Sequence, residues 1–228
     1  MSAGVRRFLY DNGLSLAFGL LFLGSIVAQA IFGLHKANED QDRHHAAHFS
    51  FGRYLTSSQF AAAVMENWQS EYLQFTLFVL LTVWLIQRGS PESKPPGEAG
   101  VKSDQAERIG PHAGERSPLW ARVGGIRTLI FSNSLLLLMT TIWLGTWFAQ
   151  SVAGRSEYNA ERLSHQQDPV SFVGYLGRPD FWERTLQNWQ SEFLAVGSMA
   201  IFAVYLRQRG SAQSKPVGAP HEATVSED

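Results

Sequence analysis

Four apolar runs, separated by polar stretches, set the plan of this 228-residue chain. The first extends from Leu14 to Leu34 without a charge. About 21 residues rising 1.5 Å each reach roughly 30 Å, the thickness of bilayer hydrocarbon. The second run, Tyr72 to Ile86, is the back half of a longer helix that the pattern starts near Ser57-Ser58 and carries to Arg88-Gly89. The third spans from about Leu129 to Val152. The fourth, Phe193 to Leu206, closes a helix predicted to start at Pro179, since proline suits a first helical position. This last run is too short to cross alone, so it must borrow Trp189 to Glu192 or meet a thinner bilayer. Residues 35–56 and 155–178 read as polar loops. Residues 89–122 are rich in Pro, Gly, Ser and charge and read as a disordered linker.

A secretory signal is the rival for the first run. Arg6-Arg7 would be its basic start and Ala28-Gln29-Ala30 its cleavage site. Nearly the same triplet recurs internally as Ala149-Gln150-Ser151, where no signal peptide operates, and the apolar run continues past Ala30. A membrane span is therefore preferred.

The chain also repeats itself, a feature to be sought before any fold is assigned. Asn67-Trp68-Gln69-Ser70-Glu71-Tyr72-Leu73 returns as Asn188-Trp189-Gln190-Ser191-Glu192-Phe193-Leu194. One ungapped register aligns residues 4–95 with 125–216, pairing Asn12 with Asn133, Gly33 with Gly154, His44 with His165 and Tyr54-Leu55 with Tyr175-Leu176. The expected architecture is all-α and membrane-integral, with four transmembrane helices made by a tandem parallel repeat of two-helix hairpins. Residues 1–95 form the first unit, 96–124 a cytoplasmic disordered linker, 125–216 the second unit and 217–228 a disordered tail. Two spans per unit give both units the same direction, related by an axis along the membrane normal.

Composition changes this picture little. Net charge is -1, so nothing points to nucleic acid. With 0 cysteines, thiolate metal sites, iron–sulfur clusters, disulfides and cysteine nucleophiles are excluded. Arg6, Arg7, Arg88, Arg122, Arg127, Arg207 and Arg209 crowd one side, which places both termini and the linker in the cytoplasm. Two hairpins with a paired Asn-Trp-Gln-Ser-Glu resemble an uncharacterised family of bacterial integral membrane proteins, a domain of unknown function. The resemblance covers nearly the whole chain. It implies a bacterial cytoplasmic membrane and carries no activity, cofactor or catalytic residue with it.

The candidate site is an outer-leaflet polar cluster of Gln29, Trp68, Gln69, Ser70, Glu71, Gln150, Trp189, Gln190, Ser191 and Glu192. A carboxylate at a lipid boundary is costly unless paired, hydrated or protonated, and such residues mark pathways. Their bland reading is a bond within the helix, as the i,i+4 pair Asn67 and Glu71 allows. Trp68 and Trp189 read as interfacial anchors, with a ligand platform as the alternative. Gln29 and Gln150 read as interhelical bonds rather than substrate ligands. Asn12 and Asn133 read as caps of their spans. His44 and His48 have the i,i+4 spacing of a helical metal pair, but the second unit keeps only His165. A solvated surface is the preferred reading there, against a metal site at His44 and His165. No phosphate loop, nucleophile elbow or His-Glu-x-x-His is present, so no cofactor and no enzymatic activity are expected. The expected role is structural or interactive in the cell envelope, with the bilayer and a second copy or another membrane protein as partners. The alternative is transport of protons, a small cation or a small solute on Glu71 and Glu192.

Overall fold

A computed structural model describes residues 3–224; the last four residues of the expected tail lie outside the described residues. The described residues are all-α, in nine α-helices with no strand. They are α1 (Ala3–Asp11), α2 (Gly13–Arg43), α3 (Phe51–Leu55), α4 (Ser58–Leu81), α5 (Leu119–Arg122), α6 (Gly125–Ser132), α7 (Ser134–Ser164), α8 (Phe172–Leu176) and α9 (Pro179–Tyr205). Among the described residues, α2 and α7 are long and apolar enough to cross a membrane, by length and composition alone. The other two expected spans, α4 and α9, do not reach that measure. α9 spends its first half largely on polar residues, α4 is interrupted by the polar stretch Glu66 to Glu71, and α4 stops at Leu81 rather than at Arg88.

That early stop has a local cause. The Thr82 hydroxyl donates to the Phe78 carbonyl, and the Val83 carbonyl accepts from Gly100 N–H at 2.7 Å and from Lys94 Nζ at 3.2 Å. The linker thus takes the Val83 carbonyl, two residues past the end of α4, which a further helical turn would otherwise use. In the other direction, α2 and α7 run past their apolar stretches to Arg43 and Ser164, through segments read as loops. Neither Gly nor Pro interrupts Lys36 to Arg43 or Arg155 to Ser164, so nothing ends the helix there. Asn12 and Asn133 stand at the N-cap positions of α2 and α7 without capping them. Their amides donate backward to the Phe8 and Leu129 carbonyls at 2.9 and 2.8 Å, closing α1 and α6 instead.

Elements recur at a spacing of 121 positions (134 against 13, 172 against 51, 179 against 58). So do side-chain devices. Asn38 clasps the backbone of Phe49 through both its N–H and carbonyl, and Asn159 does the same to Val170. Ser50 and Ser171 cap α3 and α8. Gly33 and Gly154 lie directly under the hydroxyls of Tyr54 and Tyr175. Beyond α4 and α9, Ser93 and Ser214 accept from the N–H of Gln87 and Gln208.

Packing does not follow the same equality. The principal helix pair joins the two halves: α4 lies along α7 and also packs on α9, whereas α2 packs mainly on α3. α4 buries Ala62, Val64, Gln69, Ser70, Leu73 and Thr76, and α7 buries Thr146, Gln150, Ser151, Ala153 and Gly154. Small side chains of this kind let backbones approach closely, which gains van der Waals contact where no water is expelled.

Candidate functional site

The polar seam lies where α4, α7 and α9 converge. Gln69 is 0% exposed; its Oε1 accepts from Trp189 Nε1 at 2.7 Å, while its Nε2 donates to the Glu66 carbonyl of its own helix. Ser70 donates to the Asn67 carbonyl at 2.9 Å and meets Glu192 Oε1 at 3.4 Å. Glu71 is exposed, yet near enough for its charge to act on Glu192. The repeated segments therefore meet by cross-pairing, Gln to Trp and Ser to Glu, rather than residue to like residue.

Other members of the predicted cluster are distributed unevenly. Gln150 is buried on α7, and its Oε1 has no partner among the described residues. Gln29 is half-buried on α2, whereas Gln190 and Ser191 are exposed. Ser191 bonds back to Asn188 in its own helix. Trp68 packs on Phe22 of α2 at 5.9 Å between ring centres. Trp189 packs on Trp147 of α7, whose ring also touches Trp143, Phe181 and Trp182. The indole N–H groups of Trp143 and Trp147 and the hydroxyl of Thr185 are buried without a protein partner among the described residues. Three donors, the two indoles and the Thr185 hydroxyl, and the Gln150 acceptor are thus left unpaired among the described residues of the seam. His44 and His165 each donate from Nδ1 to a carbonyl one turn back, Asp40 and Glu161, on exposed helix ends. Among the described residues no group of three His, Cys, Asp or Glu is placed to hold a metal.

One cluster was not anticipated. Arg184 of α9 reaches Glu66 of α4 at 3.0 Å, Glu157 of α7 at 2.9 Å and Asp180 of its own helix at 3.4 Å. Tyr175 donates to the second oxygen of Asp180 at 3.1 Å. One guanidinium thereby ties three helices through its planar fork. The i,i+4 pair Asp180 and Arg184 was visible in the sequence; its partners 27 and 118 positions away were not. Burial opposes the Arg184 charge, but the Glu157 bond and the charges of Glu157 and Asp180 outweigh it and hold the guanidinium firmly protonated.

Three carboxylates share that single cation, and Glu66 comes off worst. Burial lifts its carboxyl above the ordinary 4.5, and Glu157 and Asp180 add to the rise despite the Arg184 bond. A folded value raised above the unfolded one stabilises fully below the unfolded value and fades as pH climbs through the folded one. Glu66→Gln keeps an acceptor for Arg184 without the charge. The variant is expected to match or exceed the wild-type Tm at neutral pH and to lose less stability than wild type as pH rises above about 4.5. Melting curves across that range check this; a variant that falls below wild type at neutral pH while tracking it in acid would refute it.

A second feature is an open cavity of about 290 Å³ at the far end of α4, lined by Phe78, Leu81, Leu85, Ile86 and Glu92 among others. It shares no lining residue with the polar seam.

The profile of the family described as Domain of unknown function (DUF6766) matches residues 5–226. No curated protein and no solved structure matches the chain. Spanning almost the entire sequence, that match makes the chain a member of the uncharacterised family of Domain of unknown function (DUF6766).

Proposed function

We propose that the chain is a four-span protein of the bacterial cytoplasmic membrane, built by tandem duplication, with a structural or interaction role in the cell envelope. Both termini and the linker face the cytoplasm, as the arginine distribution implies. Large apolar side chains exposed along three helices support the lipid setting: Leu20 and Leu21 on α2, Leu135 and Leu138 on α7, Phe193 and Leu194 on α9. The observation that carries the role is the 2.7 Å bond from Trp189 to Gln69. Gln69, Ser70, Trp189 and Glu192 are spent on holding α4 to α9.

Transport is the second reading, favoured by the reach of the Glu71 charge to Glu192 at the same junction. Proton and cation flux into proteoliposomes separates the two, using wild type and Glu71→Gln/Glu192→Gln. The structural reading expects no flux in either protein, with the double variant changed only in yield or Tm. Wild-type flux abolished by the double change would overturn it.

A further inference from the structure

The duplicated halves leave one copy of their mutual interface open. In α4 the stripe Ala62, Glu66, Gln69, Leu73 and Thr76 is turned inward, all buried but Glu66, whose side chain is 19% exposed. Its counterpart in α9, set 121 positions later, is Glu183, Gln187, Gln190, Leu194 and Gly197, and every one of these is exposed. Gln69 and Leu73 are 0% and 4% exposed, and the identical Leu194 is 67% exposed. α9 uses a different side, Arg184, Trp189 and Glu192, to meet α4. The inward stripe of α4, which touches α9 through Glu66 and Gln69 while the helix lies along α7, thus has a counterpart on α9 that keeps Gln190 and Leu194 and is exposed.

The complementary face is open in part: Ala30 is 3% exposed and Gly33 lies under Tyr54, whereas the neighbouring positions are less covered. α7 buries Thr146, Gln150, Ala153 and Gly154 against its neighbours. Its counterpart on α2 is Ser25, Gln29, Phe32 and Gly33, of which Ser25 and Phe32 are exposed and Gln29 half-buried. α2 and α9 do not pack on each other as α7 and α4 do. A half-to-half contact left open within one chain is available to a second chain, and closed rings are what heterologous contacts form when the rotation permits. Charge agrees with this. Where the internal interface has Glu157 and Ala62, the open one has Lys36 and Glu183, of opposite sign, and neither makes an ion pair among the described residues. In lipid, Gln190 and Ser191 also gain more from a helix partner than from acyl chains.

The geometry points to a second copy of this chain as the occupant: α2 of each copy lies on the Glu183, Gln187, Gln190, Leu194 face of the other's α9, closing a ring of two chains. The inference rests on the duplicated membrane reading above. It names the partner in that interaction role.

The absence of native cysteine makes the test direct. Lys36 and Gln187 are the counterparts of Glu157 and Glu66, which share Arg184 in the internal interface. Lys36→Cys chains with one tag and Gln187→Cys chains with another are co-expressed and treated in their membranes with a short bis-maleimide. A product of two chains carrying both tags is expected, lost in Leu194→Arg. Absence of that mixed product overturns the inference, and so does a ladder beyond two chains from a chain carrying both cysteines. In a chain carrying both cysteines, cleavage within the linker distinguishes crosslinks within one chain; a predominant internal crosslink also overturns it. Resistance to alkaline extraction is scored on the same membranes, so failure of the membrane reading registers separately from failure of the dimer.

Discussion

Arg184→Ala is expected to destabilise the fold by about 3 kcal/mol, the lower end of what removing one partner of a buried ion pair costs. The loss exceeds that of a surface pair because three carboxylates are left behind. Glu66, Glu157 and Asp180, with side chains 19%, 31% and 30% exposed, would face one another across α4, α7 and α9 without a cation. Arg184→Lys should recover only part, since a point charge cannot serve three acceptors in fixed directions. Adding Glu157→Gln and Glu66→Gln to Arg184→Ala should recover more, by removing the stranded charges. Chemical unfolding in mild detergent, followed by far-ultraviolet circular dichroism, gives the comparison. A single variant within about 0.5 kcal/mol of wild type, the usual range of surface changes, would show that the cluster does not hold the helices together.

Gly154→Ala is the second large effect, expected at about 1–3 kcal/mol, as for other overpacked interiors. A methyl there would stand 2.6 Å from the Tyr175 hydroxyl oxygen and 3.3 Å from the ring carbon that bears it. The ring has nowhere to retreat. Tyr175 is 1% exposed, its hydroxyl is held by Asp180, and its faces and edges meet Tyr158 and Phe181. Tyr175→Phe removes the clashing oxygen, so the double variant should regain part of what Gly154→Ala loses. If the two changes simply add, the contact is not the cause. Gly33 under Tyr54 repeats the arrangement in the first half and should respond in the same direction.

These two effects differ in how far they were legible beforehand. Gly33 with Gly154 and Tyr54 with Tyr175 stand out when the halves are aligned, because both members recur at one spacing. That a glycine lies beneath a tyrosine is a tertiary matter, since 21 residues separate them in each half. Asn38 and Asn159 also recur, and their clasp on the following loop passed unnoticed among ordinary polar residues. The Arg184 cluster has no second copy: Ala63, Lys36, Gln187 and Gln59 occupy the corresponding places. A reading guided by repetition was bound to miss it. That difference supplies a physical reason for the unequal packing, because the ion pairs that join α4, α7 and α9 have no equivalent to draw α2 onto α9.

Local pattern by itself determined the all-α class, the apolar runs of α2 and α7, the starts of α4 and α9, and the recurrence of elements. Each follows from which neighbours lie three or four residues away, and that information is in the chain. Tertiary structure alone decided which helices pair, that Gln69 takes Trp189 and Ser70 takes Glu192, where the linker stops α4, and that three acids converge on one arginine. Those outcomes depend on side chains brought together from separations of up to 122 positions, where periodicity carries no signal and only close packing and the need to satisfy buried polar groups choose among partners.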